Sequence, residues 1–362
     1  MELADLEQFL AGLGEGRFHA RQIYRWAYKR GVTDFHLMSD LSKTLRASLD
    51  TGLVLSTPRI VGRDRSSDGT EKFVLEVGPD GGTARRIESV FIPETPAMTF
   101  CVSTQVGCAM GCAFCLTGKM GLVRNLTAGE IVGQVRVLAE TLALRDTRFN
   151  IVLMGMGEPL HNYDETMKAL RILANASGLA ISPRRVTLST VGVVPGLDRL
   201  TTEPMMPNLA ISLHATTEEQ RSRLVPLNRK YRIEDVLAAC RRLPVKRRDR
   251  ITFEYVLLDG VNDAPDDARR LVRLLQGIRA KVNLIPLNEA AGIPFGRPAD
   301  HRVDAFAQIL ADHRVTVSVR KSRGRDIRAA CGQLIVEGQQ RSPGQRLASA
   351  MSSALSPAGA DA

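Results

Sequence analysis

Cys108, Cys112 and Cys115 lie within the eight-residue segment CAMGCAFC, at spacings of four and three. Three thiolates do not complete the four-coordinate site that structural zinc prefers. They can hold three irons of a four-iron cluster and leave the fourth iron open to a small molecule, which makes the open iron a place for chemistry. Zinc with Cys101 as fourth ligand is the alternative; the spacing is not that of a zinc ribbon, and no second cysteine pair follows. Four of the six cysteines fall within fifteen residues, while Cys240 and Cys331 stand alone. Such crowding, in a chain whose first residues (MELADLEQ) are acidic rather than leader-like, favours a metal or redox site over structural disulfides. Isolated cysteines usually pack in cores, which is what Cys240 is expected to do. Cys331 differs because the run RKSRGRDIR precedes it, and positive surroundings favour the nucleophilic thiolate.

A second group of candidates follows short apolar runs. NIVLM leads into Gly155, Met156, Gly157, Glu158 and Pro159, where small residues allow close backbone approach and the carboxylate can accept hydrogen bonds from an ammonium group. Ser189, Ser212, His214 and Asn288 end later runs. Each of these residues also suits an ordinary cap or turn; their common placement at run ends is what groups them.

The elements that must position these residues can be read from periodicity. Residues 1–55 have helical apolar spacing in LADLEQFLAGL, QIYRWAYKRGV and LSKTLRASL, and form a small helical accessory domain. Residues 56–94 alternate (RIVGR, EKFVLEV, RRIESVFIP) between turn signals, predicting a short β-rich linker. Residues 95–335 repeat strand, loop and helix, beginning with TFCVSTQ before the helix from Thr127. NIVLM, RVTLST, NLAISLH, ITFEYVLL and KVNLIP each precede a helical segment, and VTVSVR closes the series. Six such units predict an α/β fold of parallel strands covered by helices, a barrel or a partly closed relative, with chemistry at the strand carboxyl ends. Residues 336–362, rich in Ser, Ala, Gly and Pro, read as a disordered tail.

Composition narrows the partners. Lys and Arg outnumber Asp and Glu by 49 to 39, a formal charge of +10, and the positive residues cluster near Arg17–Arg30, Arg241–Arg250 and Arg320–Arg328. Any one cluster is consistent with a solvated face, but three together favour an anionic partner such as nucleic acid. With one Trp and five Tyr, a broad stacking platform for single strands is not indicated. No apolar run approaches the roughly 18 residues of a membrane span, so a cytoplasmic enzyme without membrane association is expected.

The cluster motif after the first strand, with an aromatic residue before the third cysteine, resembles the signature of the radical SAM superfamily. The resemblance implies a four-iron, four-sulfur cluster on Cys108, Cys112 and Cys115 whose open iron chelates S-adenosylmethionine (SAM). One electron then cleaves SAM to methionine and a 5′-deoxyadenosyl radical. From the opening helices to about Leu334 the chain is similar to the RlmN and Cfr family of RNA adenine methyltransferases. IESVFIPE, CVSTQVGCAMGCAFC, MGMGEPL, LSTVGVVPGL, AISLHA, IPLN and RGRDIRAACGQL occur in that order.

The family resemblance implies the remaining roles. Cys331 takes a methyl group from one SAM, a second SAM supplies the radical that activates that methyl, and the carbon radical adds to adenine. Cys101 then attacks the Cys331 sulfur, forming a transient disulfide and releasing the base, and Glu88 is the proton acceptor. SAM contacts fall to Gly157, Glu158, Ser189, Ser212, Leu213, His214 and Asn288. Carbon 2 of adenine in 23S rRNA, at the peptidyl transferase region, and in tRNA next to the anticodon is the expected target. Carbon 8 of 23S rRNA adenine is the alternative, and the opening helices favour carbon 2. An electron donor such as flavodoxin and a monomeric state complete the expectation.

Overall fold

The computed structural model of the protein describes residues 1–78, 83–93, 97–246 and 248–336. The expected tail therefore lies, beyond Val336, outside the described residues.

The chain begins with helices α1 (Leu3–Gly12), α2 (Phe18–Tyr24) and α3 (Lys43–Gly52), α2 running on into a turn of π-helix at Arg25–Lys29. Ser42 caps α3 by accepting the Leu45 N–H at 3.1 Å, in keeping with a Ser-Asp-Leu-Ser helix start. Their apolar faces meet in a core of their own that includes Leu10, Tyr24, Phe35, Met38, Leu45 and Leu49.

Three antiparallel strands follow: β1 (Arg59–Arg65), β2 (Glu71–Val77) and β3 (Arg85–Ile92). In β2 the alternation of EKFVLEV puts Phe73, Leu75 and Val77 in the core. β1 is mostly exposed along its length. These strands do not stand apart from the parallel array. β3 pairs antiparallel with β4 (Thr99–Cys101), which joins them to one ten-stranded sheet.

Beyond β4 come β5 (Gln105–Cys108), α4 (Leu116–Met120), β6 (Gly121–Asn125) and α5 (Ala128–Thr141), then β7 (Asn150–Leu153), α6 (Tyr163–Ala174) and β8 (Val186–Thr190). The chain continues through α7 (Val194–Leu200), β9 (Asn208–Ser212), α8 (Glu218–Leu224), α9 (Ile233–Arg242) and β10 (Ile251–Leu257). It ends in α10 (Pro265–Leu274), β11 (Ala280–Pro286), α11 (Asp300–Asp312) and β12 (Thr316–Val319). β4, β7, β8, β9, β10, β11 and β12 are neighbours in that order and parallel throughout. Sequential order with helical crossovers curves a sheet toward a barrel. Among the described residues β1 and β12 remain its two edges, so the barrel is partial.

Two features depart from the periodicity reading. TFCVSTQ is not one strand: β4 stops at Cys101, and Gln105 begins β5, which leaves the sheet to pair antiparallel with β6. The break occurs where Ser103 turns its hydroxyl to the Glu88 carbonyl at 2.6 Å, and the hairpin closes so tightly that a Cβ on Gly107 would lie 1.9 Å from the Gly121 carbonyl oxygen. Helix α9, between the fourth and fifth strands of the expected series, is the other; its Ile233, Val236 and Leu237 pack on the main core. The predicted helix start at Thr127 holds, with Thr127 and Glu130 forming a reciprocal capping box. Among the described residues no helix is long and apolar enough to cross a membrane.

Candidate active site

A cavity partly open to solvent lies at the carboxyl ends of the parallel strands. Cys108, Cys112 and Cys115 line it from the hairpin side, and Gly157, Glu158, Ser189, Ser212, His214 and Asn288 line it from successive strand ends. The structure thus gathers residues that are up to 180 positions apart in sequence. Leu213 is the exception: its side chain is buried in the main core, its N–H donates to the Glu254 carbonyl at 3.1 Å and its carbonyl accepts from Arg221 Nε at 3.2 Å.

Burial pushes the Cys112 thiol well above its ordinary range and raises those of Cys108 and Cys115, with the thiols adding to one another's shifts. A buried thiol of this kind ionises only if a cation compensates its charge, which iron does. Among the described residues no three His, Cys, Asp or Glu side chains converge closely enough for a single metal ion. A four-iron cube takes its thiolates at separate corners, so three thiols set round one cavity suit it.

Glu158 ends the Gly-Met-Gly turn and caps the 3-10 turn Pro159–Asn162, with Oε1 accepting from the Leu160 N–H at 3.0 Å and Oε2 from the Val191 N–H at 2.9 Å. Burial outweighs these hydrogen bonds and pushes its carboxyl up to about 7. Gly157 has φ +109, and a Cβ there would lie 2.7 Å from the Gln105 backbone nitrogen. The turn is fixed from below: Gln105 Oε1 accepts from the Glu158 N–H at 2.9 Å, and Ser103 Oγ from the Met156 N–H at 2.8 Å. Gln134 of α5 holds Ser103 in turn, through both its N–H and its carbonyl.

His214 is buried with φ +60, and its Nδ1 accepts from the Val256 N–H at 3.1 Å. That bond places the ring proton on Nε2, and burial lowers the pKa to about 3, so the imidazole is neutral. Phe114, the aromatic residue before the third cysteine, meets this ring edge-on at 4.8 Å. Ser189 and Ser212 hydroxyls lie 3.4 Å apart. Asn288 Oδ1 is buried and has no hydrogen-bond partner among the described residues, an acceptor that a polar ligand would satisfy. The cavity thus offers a polar-ligand site beside three thiols, a donor set that fits a cluster with SAM.

Cys331 is half-buried and lines this cavity and also a second, smaller one that contains Cys101. Both cysteines are free thiols, so the disulfide expected between them is not a feature of this state. Burial pushes the Cys101 thiol up to about 12, so it must give up its proton before it can act as a nucleophile. Glu88, on β3, lines neither cavity; its carboxyl is raised by burial despite Lys72 Nζ at 3.2 Å and the Ile335 N–H at 2.7 Å.

Three further residues of the site carry little signal in the sequence. Arg320 lines both cavities and interacts electrostatically with Cys331, Glu254 and Cys101; its only sequence signal is a place in a basic run. Glu254 sits in the cavity wall, its Oε2 accepting from Asn283 Nδ2 at 2.8 Å. Arg221, fully buried, donates to the carbonyls of Leu213 and Val191 and to Asn228 Oδ1, tying the ends of β8 and β9 together. An arginine in the amphipathic helix TEEQRSRL gives no sign of facing inward.

Comparison with known proteins places this geometry. Residues 102–274 match the model of the radical SAM superfamily, and residues 1–54 that of the ribosomal RNA large subunit methyltransferase N-terminal domain. The dual-specificity RNA methyltransferase RlmN of Syntrophobacter fumaroxidans is 50% identical over 335 residues, 92% of this chain and 96% of that protein. The RlmN of Anaeromyxobacter dehalogenans is 50% identical over 352 residues, 96% of this chain and 93% of that one. A crystal structure of a radical SAM methyltransferase from Sphaerobacter thermophilus superposes with a TM-score of 0.86 at 49% identity, covering 92% of this chain and 97% of that chain. Agreement of this extent, running through both the helical start and the cluster-bearing barrel, makes the chain a member of the RlmN family of radical SAM RNA methyltransferases.

Proposed function

We propose that the enzyme methylates carbon 2 of adenine in 23S rRNA and tRNA by way of a methyl group carried on Cys331. The observation that carries this reading is the position of Cys331, which opens on the cavity of the three cysteines on one side and on the Cys101 cavity on the other. A residue that accepts a methyl from SAM and hands carbon to a base needs access to both.

Cys108, Cys112 and Cys115 would hold the cluster, and Gly157, Glu158, Ser189, Ser212, His214 and Asn288 would hold SAM, with Leu213 contributing only as the backbone link between Ser212 and His214. When bound, the cluster and SAM together supply one-electron cleavage of the sulfonium and hence a carbon-centred radical. The chain's own residues do the rest. The Cys331 sulfur attacks the methyl carbon of SAM, giving up its thiol proton and releasing S-adenosylhomocysteine, and becomes a methyl thioether. Glu88, its carboxyl raised by burial, accepts the proton released as the adenine ring is substituted. Cys101 attacks the Cys331 sulfur, forming the Cys101–Cys331 disulfide as the bond from that sulfur to the transferred carbon breaks; the carbon takes a proton to become the methyl group, and the reductant restores both thiols. Carbon 2 of adenine is electron-poor, so addition of a carbon radical avoids the need for a nucleophilic ring carbon.

A third cavity, lined by Arg297, Lys321 and Arg325 with Asp300 and Asp304, shares Arg320 and Ser322 with the Cys101 cavity. This gives RNA phosphates a basic approach to Cys331. The helical segment 1–55 supplies a further RNA-docking body, joined through strands 56–94 to the catalytic core 95–335. A base in a duplex cannot reach a buried thiol, so the adenine is unpaired or flipped out. A flavodoxin-type reductant and a monomeric, cytoplasmic enzyme belong to the same reading.

The test is incubation of anaerobically reconstituted protein with SAM, reductant and either unmodified rRNA fragment or tRNA, followed by nucleoside mass spectrometry against both isomers. The expected product is 2-methyladenosine. Only 8-methyladenosine would overturn the carbon 2 assignment, and absence of SAM cleavage would overturn the enzymatic reading.

A further inference from the structure

The segment that carries Cys331 is held at both ends by groups far away in sequence. On its cluster side, the Leu116 N–H donates to the Gly332 carbonyl at 2.7 Å and the Thr117 hydroxyl to the Leu334 carbonyl at 2.6 Å. Gly332 has φ +81, and a Cβ there would press on the Phe114 carbonyl at 3.1 Å. This end is thus tied directly to the loop of the three cysteines.

The other end is tied to the turn between β1 and β2. Asp326 accepts from the Ser66 hydroxyl at 2.6 Å and from the Ser67 N–H at 3.1 Å, and Asp68 accepts from the Gly324 N–H at 2.9 Å. The bonds are reciprocal, one carboxylate from each partner. Asp68 also accepts from the Thr70 N–H at 2.9 Å, which fixes the turn itself. Gly324 has φ +61, and a Cβ there would lie 2.7 Å from Ala329 Cβ and 2.9 Å from Thr70, so turn and segment are in van der Waals contact as well. The Ala329 N–H closes back on the Gly324 carbonyl at 2.8 Å, two residues before Cys331. β1 buries little of its length. β2 packs Phe73, Leu75 and Val77 into the core, and the two carboxylates add a direct tie between this hairpin turn and the Cys331 segment.

We propose that the β1–β2 turn is a clasp and that Asp68 and Asp326 are positioning residues, setting where Cys331 stands between the SAM cavity and the Cys101 cavity. The proposal rests on the function given above, in which Cys331 must serve both cavities in turn. A thiol about 1 Å out of line loses in-line attack on the SAM methyl group, and misplacement of that order costs about 100-fold in rate.

The test compares wild type with Asp68→Ala/Asp326→Ala and with the conservative Asp326→Asn, which keeps an acceptor for Ser66. Three readouts are taken: the single-turnover rate of methyl transfer to RNA, the Michaelis constant for SAM, and amide exchange of residues 324–335. The double variant is expected to lose tenfold or more in transfer rate and to gain tenfold or more in exchange, with the SAM constant within twofold. Asp326→Asn is expected to retain at least a third of the rate. A double variant whose segment exchanges faster but which transfers methyl within twofold of wild type would overturn the clasp, as would unchanged exchange. If wild type makes no methyladenine the functional reading fails separately, and alkylation of Cys331 by iodoacetamide then decides the clasp. An unchanged alkylation rate in the double variant refutes it.

Discussion

Glu158 gives a quantitative test of the buried site, because burial pushes its carboxyl from an ordinary 4.5 up to about 7 in the cluster-free protein. Desolvation is the cause, and the bonds from Val191, Thr190 and Leu160 only partly offset it. A carboxyl whose folded pKa is raised binds its proton more tightly when folded. Its contribution to stability is complete below the unfolded pKa and is lost as pH rises through the folded one. With these two values the contribution is on the order of 1 kcal/mol at pH 6 and has all but vanished by pH 8. Glu158→Gln has no such titration. The difference in unfolding free energy, wild type minus Glu158→Gln, should fall by about 1 kcal/mol between pH 6 and pH 8. Taking the difference cancels Glu88 and Glu254, which burial also raises. Urea unfolding of the cluster-free proteins under anaerobic conditions measures it. Curves that stay parallel across that range would refute the burial argument and leave Glu158 an ordinary carboxylate.

Gly157→Ala places a methyl group against the Gln105 backbone at φ +109; it should cost about 2–4 kcal/mol and abolish SAM binding, read by thermal unfolding and calorimetric titration. Arg221→Met strands the carbonyls of Leu213 and Val191 and the Asn228 side chain; a loss of about 3–5 kcal/mol in urea unfolding is expected, and a loss under about 1 kcal/mol would contradict the hub reading. Lys321→Gln/Arg325→Gln should weaken RNA binding and lower the salt-dependence slope by about 2 while leaving SAM binding unaltered, as filter binding at several salt concentrations would report.

Much of the site is legible in the amino-acid sequence. Cys108, Cys112 and Cys115 announce a cluster because ligand spacing is a local property, and a loop of eight residues is enough to express it. The parallel strands are legible for the same reason: NIVLM, RVTLST and NLAISLH are short apolar-rich runs between helical segments, although in β7 and β8 only every second residue is fully buried. Ser189, Ser212, His214 and Asn288 can be grouped because strand ends in such a sheet share one mouth. Family motifs account for Cys331, Cys101 and Glu88, which nothing local distinguishes from packing residues.

Tertiary structure alone decided the rest, because the rest depends on which distant groups meet. No periodicity separates β4 from β5; the break comes from Ser103 reaching the Glu88 carbonyl and from Gly107 meeting Gly121. Leu213 sits between two cavity residues in sequence yet faces the core, since neighbours on a strand point to opposite sides. Arg221 and Arg320 read as surface charges until the fold surrounds them with carbonyls, carboxylates and thiols. The tie between Asp68, Asp326 and the Cys331 segment spans more than 250 residues of chain. Sequence by itself determined which atoms can do the chemistry. The three-dimensional packing of the chain determined which of them are buried, which are charged, and on which cavities Cys331 opens.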